Sequence, residues 1–148
     1  RASRQARLPA SAGAVRMKIA RGPFTIKRAA EPVHDRMKDL LGRHTLDKVY
    51  SGDLVGTAAG EMLSAGGTVP GSAGYVAIER VDGELDGRKG TFYLQHTGIL
   101  NRGEPSLTVQ VIPDSGTGEL VGLKGELKII IAPGGAHSYE FSYEIEAR

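Results

Sequence analysis

Cysteine is absent from all 148 residues, so disulfides, thiolate metal ligands and a cysteine nucleophile drop out at once. Tryptophan is absent too, and three Phe and five Tyr make aromatic residues scarce. No stretch approaches the roughly 18 consecutive apolar residues of a membrane-crossing helix, and no apolar run of signal-peptide length follows the basic N-terminus. A cytoplasmic location is the default expectation. Acidic residues are missing from one region: residues 1–28 hold eight of the 19 cations and none of the 17 acids. Residues 29–148 therefore carry 11 cations against 17 acids. A basic arm can bind phosphates, but residues 1–16 show no hydrophobic period. They read as a disordered leader or expression remnant ahead of a single domain at 17–148. Neither nucleic acid nor a membrane is an expected partner.

Glycine, by contrast, is abundant, with 21 residues. That many glycines suit turns, bulges and close strand crossings. Residues 22–27 alternate like a first strand, with Pro23 at the entry. Further strand patterns fall near 44–51, 54–64, 73–82, 89–99, 106–113, 119–131 and 137–146, several separated by turn sequences such as Asp86-Gly87 and Asp114-Ser115-Gly116. The last is the clearest: Tyr139, Phe141, Tyr143 and Ile145 share one face, while Glu140, Ser142, Glu144 and Glu146 share the other. Between the first two strands, Val33, Met37, Leu40 and Leu41 follow helical spacing and Gly42 offers a stop, so one short helix or an ordered loop is expected over 31–42.

A repeat of the form G-[D/E]-L-x-G begins at Gly52, Gly83 and Gly118. Its intervals of 31 and 35 residues each accommodate about two strands with their turns. Glycines at fixed offsets permit the coiling and corners by which a sheet closes on itself. The count is eight strands, and the fold class is all-β: an antiparallel eight-stranded closed barrel, filled by side chains or holding one small ligand. A two-sheet sandwich is the alternative. A parallel α/β fold is disfavoured, because no crossover helices recur.

Several stretches, in order along residues 17–146, resemble the bacterial domain-of-unknown-function 3224 family. They are Leu46-Asp47-Lys48, Ser51-Gly52-Asp53-Leu54, Gly71 through Val81, Leu85-Asp86-Gly87-Arg88, Leu94 through Gly98, Pro113 through Leu120, and His137-Ser138-Tyr139. The resemblance implies a barrel like that of allene oxide cyclase, whose relatives include cyclases and stereochemistry-directing dirigent proteins. It implies no settled activity. Residues 30–44 depart from the family pattern, with Ala29-Ala30-Glu31-Pro32-Val33-His34 in place of a more extended polar link.

Familiar catalytic motifs fail. Gly116-Thr117-Gly118 runs on to Gly122 one residue out of register for a dinucleotide fingerprint, among strand signals rather than before a helix. Pro70 and Pro113 stand where a nucleophile elbow around Ser72 or Ser115 needs glycine. His34, His44, His96 and His137 form no H-x-H or H-E-x-x-H pair, so no metal and no cofactor is expected. The best candidates lie on adjacent strands. Tyr75, Ala77 and Glu79 share one face; Phe92, Leu94 and His96 share another, with Gln95 and Thr97 opposite.

Glu79 is the candidate acid or base, since desolvation raises a carboxyl pKa unless a cation or donors compensate. Lys48 is one cation that would make it a structural pair instead. His96 is the candidate proton shuttle, with a hydrogen-bonded core histidine as the plain alternative. Tyr75, Gln95, Glu61, Phe92 and Leu94 are candidate ligand contacts, Glu61 being more naturally a surface residue. The expected function is binding of a small apolar or amphipathic molecule inside the barrel. A cyclase or isomerase acting in the same cavity is the alternative, and a homo-oligomeric interaction protein the third.

Overall fold

The computed structural model describes residues 17–147, so the expected leader at 1–16 lies outside the described residues. Eight strands follow one another: β1 (Lys18–Glu31), β2 (Gly42–Tyr50), β3 (Leu54–Gly66), β4 (Ala73–Leu85), β5 (Arg88–Asn101), β6 (Glu104–Val111), β7 (Leu123–Ile131) and β8 (His137–Ile145). Each pairs antiparallel with the next, and β8 returns to β1, so the sheet is a closed barrel. Closure leaves no strand with a wholly free side, the usual hazard of an all-β chain. No helix among the described residues is long and apolar enough to cross a membrane.

Of the two expectations for 31–42, a short helix or an ordered loop, the structure has the ordered loop. β1 continues to Glu31, which pairs with Arg43, and only a 3-10 turn at Asp35–Met37 interrupts the connection. Helical spacing needs a surface to bury its apolar stripe. Here Leu40 is 65% exposed, and Asp39 takes a positive φ of 65° that ends any helix.

Glycine lets neighbouring strands approach. Gly56 and Gly83 face each other across β3 and β4; a Cβ on Gly56 would stand 2.3 Å from the Asp82 carbonyl oxygen. Gly60 is opposite Glu79, and a Cβ there would stand 2.1 Å from the Ile78 carbonyl oxygen. These contacts allow the tight coiling a small barrel demands. The three repeats are not equivalent hairpins. Their common feature is a leucine: Leu54, Leu85 and Leu120 are all fully buried, and Leu54 pairs with Leu85.

β6 and β7 share only the pair Gln110 and Glu126. The chain between them instead folds back over the first half of β5. Ile112 and Thr117 donate backbone N–H groups to the carbonyls of Tyr93 and Thr91, both at 2.9 Å. Tyr93 and Thr91 in turn donate to Ser115 Oγ at 3.1 Å and Thr117 Oγ1 at 3.0 Å. Asp114-Ser115-Gly116 thus belongs to a strap that pairs the otherwise open side of β5.

The two barrel ends differ. Around the start of β3 and the end of β4, the interior is filled by Leu54, Leu85, Phe92, Leu120, Leu123, Phe141 and Tyr143. Phe92 stacks on Phe141 with centroids 5.8 Å apart, and Phe141 meets Tyr143 at 5.4 Å. Each such side chain contributes about 1.5–3 kcal/mol by leaving water. At the opposite end, where β1, β3, β5 and β7 finish, inward-directed positions stay open. Leu107 and Ile131 lie on the inner face there, yet are 41% and 64% exposed. The barrel is a cup, plugged below and open above.

Candidate functional site

The floor of the cup is polar. On β2, Leu46, Lys48 and Tyr50 alternate onto the inner face; on β4, Tyr75, Ala77, Glu79 and Val81 do so; on β5, Phe92, Leu94 and His96. Small neighbours make room for the long polar groups. Ala58 pairs with Lys48, Gly60 with Glu79, and Ala77 with His96.

Glu79 sits at the centre with 1% of its surface exposed, beside Lys48 and His96 at 4% each. Lys48 Nζ donates to Glu79 Oε2 at 2.6 Å, and His96 Nε2 lies 2.7 Å from the same oxygen. The Tyr50 hydroxyl donates to Oε1. The Lys48 ammonium also lies 5.2 Å from the Phe24 ring centroid and 5.9 Å from that of Tyr50, an arrangement in which ring quadrupoles help hold a desolvated cation.

Burial is the largest single influence on Glu79 and pushes its pKa up. The hydrogen bonds and electrostatic contacts with His96 and Lys48, led by the His96 hydrogen bond, together outweigh it and hold the carboxyl at about 2. The compensating cation foreseen for Glu79 is thus present. Tyr50 is pushed well above the usual tyrosine value, first by burial and then by the adjacent Glu79 charge. At neutral pH the cluster holds one carboxylate and one phenol.

Above the floor, the half-buried Tyr75 lies across Gly98, its cross-strand partner; a Cβ on Gly98 would fall 2.1 Å from Tyr75 Cε1. His44 stands on the inner face of β2 nearer the open end. Its Nδ1 is fully buried and makes no hydrogen bond.

Of the residues expected from the sequence, Tyr75, Glu79, Phe92, Leu94 and His96 share the interior, Phe92 and Leu94 as fully buried packing. Gln95 and Glu61 do not join them. Gln95 lies between Leu94 and His96 on one strand, so it points to the outer wall and is exposed. Glu61 is likewise outside, in an ion pair with Arg43 that lowers its pKa through the hydrogen bond. Tyr50 was not expected in the site. The alternation Leu46-x-Lys48-x-Tyr50 carried that signal. Among the described residues no three His, Asp or Glu side chains gather as metal ligands.

Geometry therefore defines a class, a closed eight-stranded barrel with a buried ionic floor and an open apolar rim. The family described as "Protein of unknown function (DUF3224)" matches residues 20–143, and the chain belongs to it. It is similar to a crystal structure of a DUF3224-family protein of unknown function from Shewanella oneidensis MR-1, solved at 1.84 Å. The two are 46% identical, and the match has a TM-score of 0.84 and covers 90% of this chain and 100% of that one. No curated protein matches the chain.

Proposed function

We propose that the barrel binds a small amphipathic or apolar molecule in its open end, above the Lys48–Glu79–His96–Tyr50 floor. One observation carries this reading: inner-face apolar residues such as Leu107 and Ile131 remain exposed, while a few polar groups converge beneath them. Apolar walls with sparse, fixed polar groups are how small ligands are held.

Catalysis of the cyclase or isomerase type is less well supported. A carboxylate held at about 2 by His96 and Lys48 has no proton to give near neutral pH and is a weak base.

The test is thermal unfolding against a panel of medium-chain and cyclic amphiphiles. A binder at about 100 times its Kd adds about 2.7 kcal/mol and raises the midpoint. Leu107→Asp, which puts a charge on the inner wall, should abolish the shift. A panel without effect, or shifts that survive Leu107→Asp, would overturn the reading.

The outer wall favours a second, compatible reading. Leu63, Val76, Ile78 and Ile99 on β3–β5 form an exposed apolar surface, each between 41% and 53% exposed, of the kind that marks contact between protein copies. Light scattering should give a homo-oligomer that Ile78→Lys dissociates; a monomer at high concentration would count against it.

A further inference from the structure

We infer that the molecule's polar end is a neutral hydrogen-bond donor, such as an alcohol or phenol, received by Nδ1 of His96, with its apolar tail toward the open rim. This rests on the binding reading and specifies which chemistry the floor accepts.

An ionised carboxylate only accepts hydrogen bonds, so the proton shared with Glu79 Oε2 belongs to His96 Nε2. A ring carrying a single proton is thereby fixed in the Nε2–H tautomer, with a lone pair on Nδ1. That atom makes no hydrogen bond with any described residue. The only fully buried side-chain nitrogen or oxygen without a partner, among the described residues, is His44 Nδ1. His96 Nδ1 therefore keeps contact with accessible space.

The other polar groups of the floor are engaged. The Lys48 ammonium is bound to Glu79 and lies near two aromatic rings, and the Tyr50 hydroxyl is donated. Lys48 and Glu79 already balance each other. An anionic head reaching this depth would face the Glu79 carboxylate with no cation left to meet it, and a cationic head would meet Lys48. A neutral donor adds no charge and finds a waiting acceptor. Arg28 is the contrasting feature: it lies on the inner face of β1, is exposed, and acts electrostatically on Tyr75. A carboxylate would bind head-up there, at the rim, in the reverse orientation.

The probes are 1-octanol and octanoate, used with the whole chain. Long-range proton–nitrogen NMR of wild type at neutral pH should show His96 Nδ1 unprotonated, and 1-octanol should shift that resonance. Calorimetry should give tighter binding for 1-octanol than for octanoate. Arg28→Gln should leave 1-octanol binding unchanged, and His96→Phe should weaken it about three- to tenfold, the worth of one neutral hydrogen bond. The NMR result needs no variant, so a fold defect in His96→Phe would not obscure it. A protonated Nδ1 in the free protein, or octanoate binding more tightly and being lost in Arg28→Gln, would overturn the donor assignment while leaving the cup occupied. Failure of both probes to bind would overturn the binding reading itself.

Discussion

Replacing Lys48 by methionine keeps most of the length and the apolar stem of the side chain but strands the Glu79 charge. Glu79 is 1% exposed and Lys48 4%, so water cannot replace the lost ammonium without rearrangement. Removing one partner of a buried ion pair destabilises by about 3–5 kcal/mol. In wild type Glu79 is held at about 2 against a reference of 4.5, a net contribution of about 3 kcal/mol to which His96 and Lys48 both contribute.

The sign follows from that depression. The contribution is fully present above about pH 4.5 and is lost as pH falls toward 2. Without Lys48 the carboxyl is held down less, so the variant loses less on acidification and the gap to wild type narrows. Urea unfolding at pH 7 and at pH 3.5 reads both quantities. The double variant Lys48→Met/Glu79→Gln should recover much of the loss at pH 7, because no buried charge remains uncompensated. A cost under about 1 kcal/mol at pH 7, or a gap independent of pH, would refute the reasoning, since exposed pairs behave that way.

Three further outcomes follow from other parts of the barrel. Gly98→Ala should cost about 1–3 kcal/mol by overpacking, because the new methyl needs the space of the Tyr75 ring; a change in near-ultraviolet circular dichroism should accompany the lower unfolding midpoint. Tyr139→Phe should cost about 1–3 kcal/mol in urea, because its hydroxyl accepts from the Leu54 N–H at 2.9 Å and donates to the Ser51 carbonyl at 2.6 Å. Alkali should destabilise the fold through Tyr50, whose phenol form is favoured on folding. That stability is present below the usual tyrosine pKa of about 10 and lost above it; in spectrophotometric titration Tyr50 should ionise only with unfolding.

Much of this architecture was readable in the chain. Period-two alternation placed β8, whose Tyr139, Phe141 and Tyr143 are all buried, and the inner rows of β4 and β5. The alternation at 22–27 marks only the middle of β1, which spans Lys18–Glu31, because Ala20, Gly22, Arg28 and Ala30 hold inward positions with too little apolar mass to register as alternation. The strand pattern at 119–131 overreaches β7 at its start: Gly118–Leu120 form a 3-10 turn whose Leu120 plugs the closed end, and β7 begins at Leu123. Composition could not fix which faces point inward, and that hid most of the site. Gln95 and His96 are adjacent in a strand and cannot share a cavity. Lys48 reads as a solvated residue until Leu46 and Tyr50 on either side are seen to be buried. Only strand register then brings it to Glu79, 31 residues later.

Where a ligand sits is the most direct question to put to the barrel. Intermolecular nuclear Overhauser effects between 1-octanol and a methyl-labelled sample should run from the alkyl chain to Leu107 and to Met62 and Ile129, which lie on the inner wall opposite Ala77 and Tyr139. Contacts confined to Val76 and Ile78 on the outer wall would contradict the cup as the binding site.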